Sequence, residues 1–291
     1  MSQDNRVWFV TGASKGIGLI LVKKLIKDGF RVAATTRSTE ALIKNLGESY
    51  NADQVLVLAV DLANEESVKQ AISDTLGKFS KIDVVVNNAG YGLFGAIEAI
   101  TDKEARDVFD VNVFGPLNVL RNVLPSLRSN KSTEYGPRVY NISSIAGFSG
   151  NFPGVGLYCA TKFALDGLTQ SAFAELAPLG IKVTSVLPGY FNTDFLNSGS
   201  ITTSKKEIPE YENVKQTIDF HLHQMNHKQL GDPAKLVDLL IHLSKQSNVP
   251  LTLPVGPDAY EYMYKRMDEI KKDLEEFKSQ TTVTNFDTKR E

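Results

Sequence analysis

The sequence predicts a doubly wound α/β fold, a parallel sheet covered by helices on both faces. Three observations carry that prediction. Short β-rich runs alternate with longer helical patterns from residue 7 to residue 256. The β-rich runs are nearly continuous in Val, Ile and Leu, as in strands buried on both faces, rather than alternating apolar with polar. The first of them runs into a glycine-spaced turn, "TGASKGIG" (11–18), that opens a helical pattern.

Taken in order, "VWFVTG" (7–12) reads as a buried strand and "IGLILVKKLIKDG" (17–29) as the helix after it. "RVAATT" (31–36) is the second strand, followed by a helix near 39–48. "QVLVLAVD" (54–61) and a helix near 65–78 make the third unit. "IDVVVNNAG" (82–90) leads to a helix spanning roughly 102–128. "RVYNISS" (138–144), a helix opening at about 156 and "KVTSVLPG" (182–189) continue the alternation, and a helix near 232–246 and a short strand "LTLPVG" (251–256) complete it. No linker or repeat interrupts the chain, so a single domain over 1–291 is expected.

Two stretches stand apart. From 190 to 230 the periodicity lapses while Phe191, Phe195, Leu196, Ile201, Ile208, Tyr211 and Phe220 persist. That segment reads as a substrate lid or as a helix pair packed on the domain, and both can hold. A C-terminal helix is expected over 257–279, with Met263, Met267, Ile270, Leu274 and Phe277 as an apolar stripe that packs near the sheet edge at "LTLPVG". The polar residues 280–291 read as a loose tail.

Bulk properties narrow the function. With 42% hydrophobic and 23% charged residues, the composition is that of a soluble globular protein. A net charge of -2 gives no footprint for nucleic acid, and no Lys/Arg run forms a polybasic arm. The single cysteine, Cys159, excludes an internal disulfide framework and reads as a small core-facing residue. The start "MSQDNRVWFV" has no apolar signal region, and no apolar run is long enough to span a bilayer. A cytoplasmic protein without membrane insertion is expected. His223 and His227 stand four apart, but no third ligand accompanies them, so no metal is expected. His221 or His223 is instead a candidate for touching substrate.

The glycine loop carries more. Gly12 permits the tight turn, Gly16 lets backbone approach a pyrophosphate, and Gly18 allows close helix–strand packing. The helix N-terminus would offer amide donors and a positive dipole end to the phosphates. Lys15 opposes that dipole unless an anion is present. After the second strand, Thr35, Thr36 and Arg37 stand where a carboxylate would grip the ribose 2′-hydroxyl of NAD. An arginine there accommodates a 2′-phosphate, so the expected cofactor is NADP(H). Farther on, "LYCATKFALDG" (157–167) sets Tyr158 and Lys162 four apart, one above the other on a helix. By spacing alone that is a surface pair as readily as a functional one.

Together "TGASKGIG", "DL" (61–62), "NNAG" (87–90), "DVNVFGP" (110–116), "NISS" (141–144), "YCATK" (158–162) and "PGYFNT" (188–193) resemble the short-chain dehydrogenase/reductase family in its single-domain form. The resemblance covers about residues 6–190. Within the family, "NAGYGLFGAIEAI" and "YCATKFALDGL" look most like the hydroxysteroid and retinol dehydrogenase branch.

That resemblance implies a Rossmann fold and a catalytic tetrad of Asn112, Ser144, Tyr158 and Lys162. Tyr158 would give the proton in a carbonyl reduction, with the Lys162 ammonium lowering its pKa and hydrogen-bonding the nicotinamide ribose. Ser144 would donate to the substrate oxygen. Ser143 competes for that role, and the family pattern favours Ser144. Asn112 would hold a water on the path from Lys162 to solvent, or be a structural Asn bonded to backbone. From Ser144 to Tyr158 the spacing is one residue longer than is common, which suggests an insertion in "GFSGNFPGVG" (147–156).

The resemblance also implies cofactor contacts. Ser14, Lys15, Gly16, Ile17 and Gly18 would surround the phosphates, and Asp61 and Leu62 would meet the adenine. Asn87, Ala89 and Gly90 would line the cleft, as would Tyr158 and Lys162. Pro188, Gly189 and Thr193 would face the nicotinamide. The activity implied is NADP(H)-dependent interconversion of a carbonyl and an alcohol on a largely apolar substrate. A catalytically silent NADP(H) sensor on the same fold and an extended-form nucleotide-sugar epimerase are the competing readings. A homodimer through the helices around 102–128 and 158–176 is expected, with the C-terminal helix blocking further assembly.

Overall fold

The computed structural model describes residues 5–130, 135–196 and 199–286. β1 (Val7–Val10) turns through the glycine loop into α1 (Gly16–Lys27). β2 (Arg31–Thr36) with α2 (Thr39–Leu46), and β3 (Val55–Ala59) with α3 (Glu65–Phe79), repeat the unit. β4 (Val84–Asn87) is followed by a short β5 (Gly92–Phe94), then α4 (Asp102–Phe109) and α5 (Gly115–Ser129). β6 (Arg138–Ile142), α6 (Gly156–Leu176) and β7 (Lys182–Pro188) come next. β8 (Ile201–Thr203), α7 (Glu212–Asp219), α8 (Pro233–Leu243), β9 (Thr252–Val255) and α9 (Pro257–Thr281) complete the order.

Seven strands form one parallel sheet in the order β3-β2-β1-β4-β6-β7-β9. The chain steps outward from β1 to β2 and β3, then returns to lay β4 on the other side. The strand order therefore reverses between β1 and β4, where α/β sheets open a ligand crevice. Alternation along β1 builds both cores. Trp8 and Val10 join Leu21, Leu25, Leu236 and Leu240 on the face of α1 and α8, while Phe9 joins Val68, Ile72, Val119 and Val123 on the face of α3 and α5. Strands with apolar residues on both sides are what the continuous Val/Ile runs require.

Helix ends follow local chemistry. Asn64 caps α3 through its side chain, and Thr101 and Glu104 form a reciprocal capping box at α4. The C-terminal end of α8 is held by two buried arginines. Arg6 Nη1 donates to the Ser244 carbonyl at 2.7 Å, and Arg138 donates to the carbonyls of Leu243, at 2.7 Å, and Gln246. Guanidinium groups there satisfy orphan carbonyls and suit the negative end of the helix dipole.

The structure corrects three expectations. The single helix over 102–128 is two helices separated by a π-helical turn, Asp110–Phe114, with Pro116 in the first turn of α5. The 190–230 stretch holds β8, α7 and a second π-helical turn, Phe220–Met225. β8 pairs in parallel with β5, setting Leu93 opposite Thr202; both strands are three residues long, too short to show a period. The C-terminal helix packs by its first turns only, so its stripe is not core. Ala259 is buried and the Tyr262 ring meets Phe152 edge-on at 5.5 Å, yet every residue from Ile270 to Thr281 is exposed. The helix also runs to Thr281, into the segment expected as tail; 287–291 lie outside the described residues.

Candidate active site

A cavity of about 910 Å³ opens at the C-terminal ends of β1, β4, β6 and β7. Its phosphate side is the turn after β1. Gly12 has φ +67°, and a Cβ there would stand 2.8 Å from Ala89 Cα. Gly18 lies beneath the turn, where a Cβ would collide with the Gly12 carbonyl, so it packs the helix against the loop and does not line the cavity. Ser14, Lys15, Gly16 and Ile17 do line it. Thr11 ties this turn to the one after β4: its Oγ1 accepts the Asn88 and Ala89 N–H groups at 3.0 and 3.1 Å. Asn88 Nδ2 returns donations to the carbonyls of Thr11 and Gly12 at 3.0 and 3.1 Å.

The other expected cofactor positions divide. Arg37, Asp61, Leu62, Ala89 and Gly90 line the cavity, as do Pro188, Gly189 and Thr193. Asn87 does not. Its side chain lies in the sheet, donating to Asn141 Oδ1 at 2.8 Å, and the neighbouring Asn88 occupies the cleft instead. Adjacent strand residues point to opposite sides, so only one of the two asparagines can face the ligand. At the rim, burial and then the neighbouring Arg37 charge hold the Lys15 ammonium below its usual range, while Asp194 pulls the other way. Two cations thus stand together past the end of β2.

The reactive residues converge from β6 and α6. Ser144 Oγ accepts the Ala146 N–H at 3.1 Å and lies near enough to the Tyr158 phenol to favour its ionised form. Ser143 Oγ instead donates to the Lys162 carbonyl at 3.2 Å, which leaves Ser144 as the serine against the phenol. Lys162 Nζ donates to the Ile142 carbonyl at 2.9 Å and sits 5.7 Å from the Tyr158 ring centre. Burial pushes the Lys162 ammonium down to about 8. Burial also pushes the Tyr158 phenol well above its usual range, against a lowering by the nearby Ser144 hydroxyl. The expectation that Lys162 lowers this pKa is therefore outweighed by desolvation of both groups.

Asn112 sits buried on the first π-helical turn, and its side chain is bound to neighbours. Oδ1 accepts the Tyr91 N–H at 3.0 Å, and Nδ2 donates to the Tyr91 carbonyl at 2.8 Å and Thr161 Oγ1 at 3.1 Å. These bonds clamp the strand-end loop onto α6 beside Lys162.

Beyond Tyr158 the cavity is walled by Phe94, Phe152, Val155, Phe195 and Leu196, with the Phe195 ring 5.8 Å from that of Tyr158. One polar pair interrupts these walls. His221 Nδ1 lies 2.7 Å from the Thr217 carbonyl, which only accepts, so Nδ1 carries the proton and Nε2 accepts from Tyr190 Oη at 2.9 Å. Burial holds the His221 pKa below its ordinary value, keeping the ring neutral. His223 and His227 are exposed, and among the described residues no group of three side chains could hold a metal. Cys159 is buried, its thiol pushed up to about 11 by desolvation. Phe163, in the opening stretch of α6, is exposed.

Sequence reasoning did not single out Thr11, Asn88, Tyr190 or Asp258. Strand parity could have selected Asn88 over Asn87. Nothing local marks Asp258 as reaching the cavity wall.

Comparison with known proteins agrees with this geometry. The short chain dehydrogenase family model matches residues 6–203. Oxidoreductase BOA17 of Botryotinia fuckeliana is 32% identical over 265 residues, covering 91% of this chain and 94% of its own length. A short-chain dehydrogenase structure from Streptomyces avermitilis superposes with a TM-score of 0.86 at 33% identity, covering 98% of this chain and 100% of that one. A Burkholderia cenocepacia short chain dehydrogenase in complex with NADP has a TM-score of 0.71 at 26% identity, covering 95% and 98%. A Brucella melitensis 3-ketoacyl-(acyl-carrier-protein) reductase complexed with NADH has 0.71 and 26%, covering 87% and 98%. The chain thus belongs to the short-chain dehydrogenase family and is an oxidoreductase.

Proposed function

We propose that the chain interconverts a carbonyl compound and an alcohol with NADP(H), using Tyr158 as the acid and base. The observation that carries this reading is the Tyr158 phenol itself, beside Ser144 and Lys162 and facing the cavity that the glycine turn also lines. The residues present fit a dinucleotide: Gly16 turns into the cavity with no side chain nearer than Thr193 Cβ, at 3.8 Å from the position a Cβ would take. When bound, the reduced nicotinamide supplies the hydride. Ser144 and the protonated Tyr158 then hold the substrate oxygen, and Tyr158 transfers its proton as negative charge develops there. The Lys162 ammonium stabilises the phenolate that remains.

Preference for NADP(H) rests on Lys15 and Arg37, adjacent cations that each destabilise the other unless a 2′-phosphate lies between them. The Phe94, Phe152 and Phe195 walls suit a largely apolar substrate. Exposed Phe114 and Phe163, at the start of α5 and on α6, suit a homodimer through those helices. The test is turnover: NADPH mixed with the protein and a panel of aldehydes, ketones and β-keto esters, followed by cofactor absorbance. Oxidation of NADPH that vanishes in Tyr158→Phe, with NADPH binding retained, supports the reading. Binding without turnover of any panel member favours a sensor, and equal affinity for NADH and NADPH removes the 2′-phosphate argument.

A further inference from the structure

Among the described residues, none of α9 beyond Glu269 is buried or half-buried. From Ile270 to Thr281 every residue is exposed, and a free helix of about 12 residues is marginal in water. Yet the sequence keeps an apolar seam through this stretch. Tyr260, Met263, Met267, Ile270, Leu274 and Phe277 recur at alternating spacings of three and four, the repeat of two helices packed along their length. Five of the six are more than a third exposed: Tyr260 at 47%, Met267 at 50%, Ile270 at 38%, Leu274 at 65% and Phe277 at 46%.

We propose that this seam is a self-association surface, on which α9 of a second copy of this chain docks antiparallel. Charge selects the occupant and its direction. Lys265, Arg266, Lys271, Lys272 and Lys278 are outnumbered by acidic side chains on the same helix, which suits neither an anionic membrane nor nucleic acid. In the antiparallel register Tyr260 packs on Phe277 of the second copy, Met263 on Leu274, and Met267 on Ile270. The flanking positions then set Arg266 against Asp273, and Tyr264 against Lys271, each twice by symmetry. In a parallel pair, Arg266 would face Lys271, like against like. Arg266 pairs with Glu269, at 3.3 Å in an exposed contact, and loses little by turning to a new partner. The antiparallel arrangement also brings the free tip of each helix beside the anchored start of the other, where Tyr260 and Tyr264 are exposed.

Cysteine cross-linking reads this contact whatever other interface the chain makes. The native Cys159 is buried and serves as the background. Met267→Cys protein mixed with Ile270→Cys protein, under mild oxidation, is expected to give a disulfide-linked dimer on a non-reducing gel. It should form about 10-fold faster than in Leu274→Cys protein alone, whose cysteines would lie roughly 16 Å apart along the axis of the pair. Arg266→Asp should slow the cross-link, and the exchange Arg266→Asp with Asp273→Arg should restore it. Faster cross-linking of Leu274→Cys with itself, or no cross-linked species in any mixture, overturns the proposal.

Discussion

Asp258, in the first turn of the C-terminal helix, accepts the backbone N–H of Tyr190 at 2.6 Å. The same carboxylate fills the space a side chain at Gly189 would need. The helix after β9 is therefore braced against the loop after β7 that lines the cavity, and that loop carries Tyr190, the partner of His221. Asp258→Ala leaves a part-buried N–H unpaired, a loss of about 1–3 kcal/mol. Urea unfolding should show it, and kcat/KM should fall about 10-fold. Asp258→Asn keeps an acceptor oxygen and should recover most of both.

At Tyr158 the expectation is a separation of binding from chemistry. Tyr158→Phe removes only the hydroxyl that meets Ser144. Turnover should fall by about 10²–10⁴, the range for losing a positioned proton donor, while NADPH titration by fluorescence stays unchanged. Ser144→Ala should lower turnover less.

Lys162 makes stability depend on pH in a particular direction. Its pKa is about 8 in the folded protein and 10.5 ordinarily, so both states hold the proton below pH 8 and burial of the charge costs stability there. Between these values the unfolded chain binds the proton that the folded chain has shed, and stability rises with pH, by up to about 1.4 kcal/mol per pH unit. Lys162→Met should lack that rise. Urea midpoints of the two proteins, differenced across the window, test it; a flat difference counts against the buried ammonium.

Arg37→Asp replaces a cation at the cavity rim with the carboxylate that grips a ribose hydroxyl. NADPH affinity should drop by about 10- to 100-fold, from loss of a charge-assisted contact, and NADH affinity should rise. Calorimetry with both cofactors decides it.

The main sheet and the site were legible in the sequence for different reasons. Strands such as β1 are uniformly apolar, and the turn from Gly12 to Gly18 is spaced for one geometry, so both could be read locally. Asn88 was misread as Asn87 because a motif names a neighbourhood and parity chooses the side chain. The break at Asp110–Phe114 was hidden because a π-helical turn keeps helical composition and shifts only the register. β5 and β8 exist only as each other's partner, and the exposure of α9 is a matter of where its body contacts end. None of these is encoded in a local pattern.

The two arginines at the end of α8 bear on synthesis. Arg6 lies just before the first strand, and its guanidinium is bound by a carbonyl 238 positions later. Trp8 packs in a core completed by Leu236 and Leu240. A nascent chain leaving the ribosome from its N-terminus can lay down the first strands and helices, but one face of β1 is covered only in part, by α1, until α8 emerges. Until then it is a surface that a chaperone can hold, and closure comes late in translation.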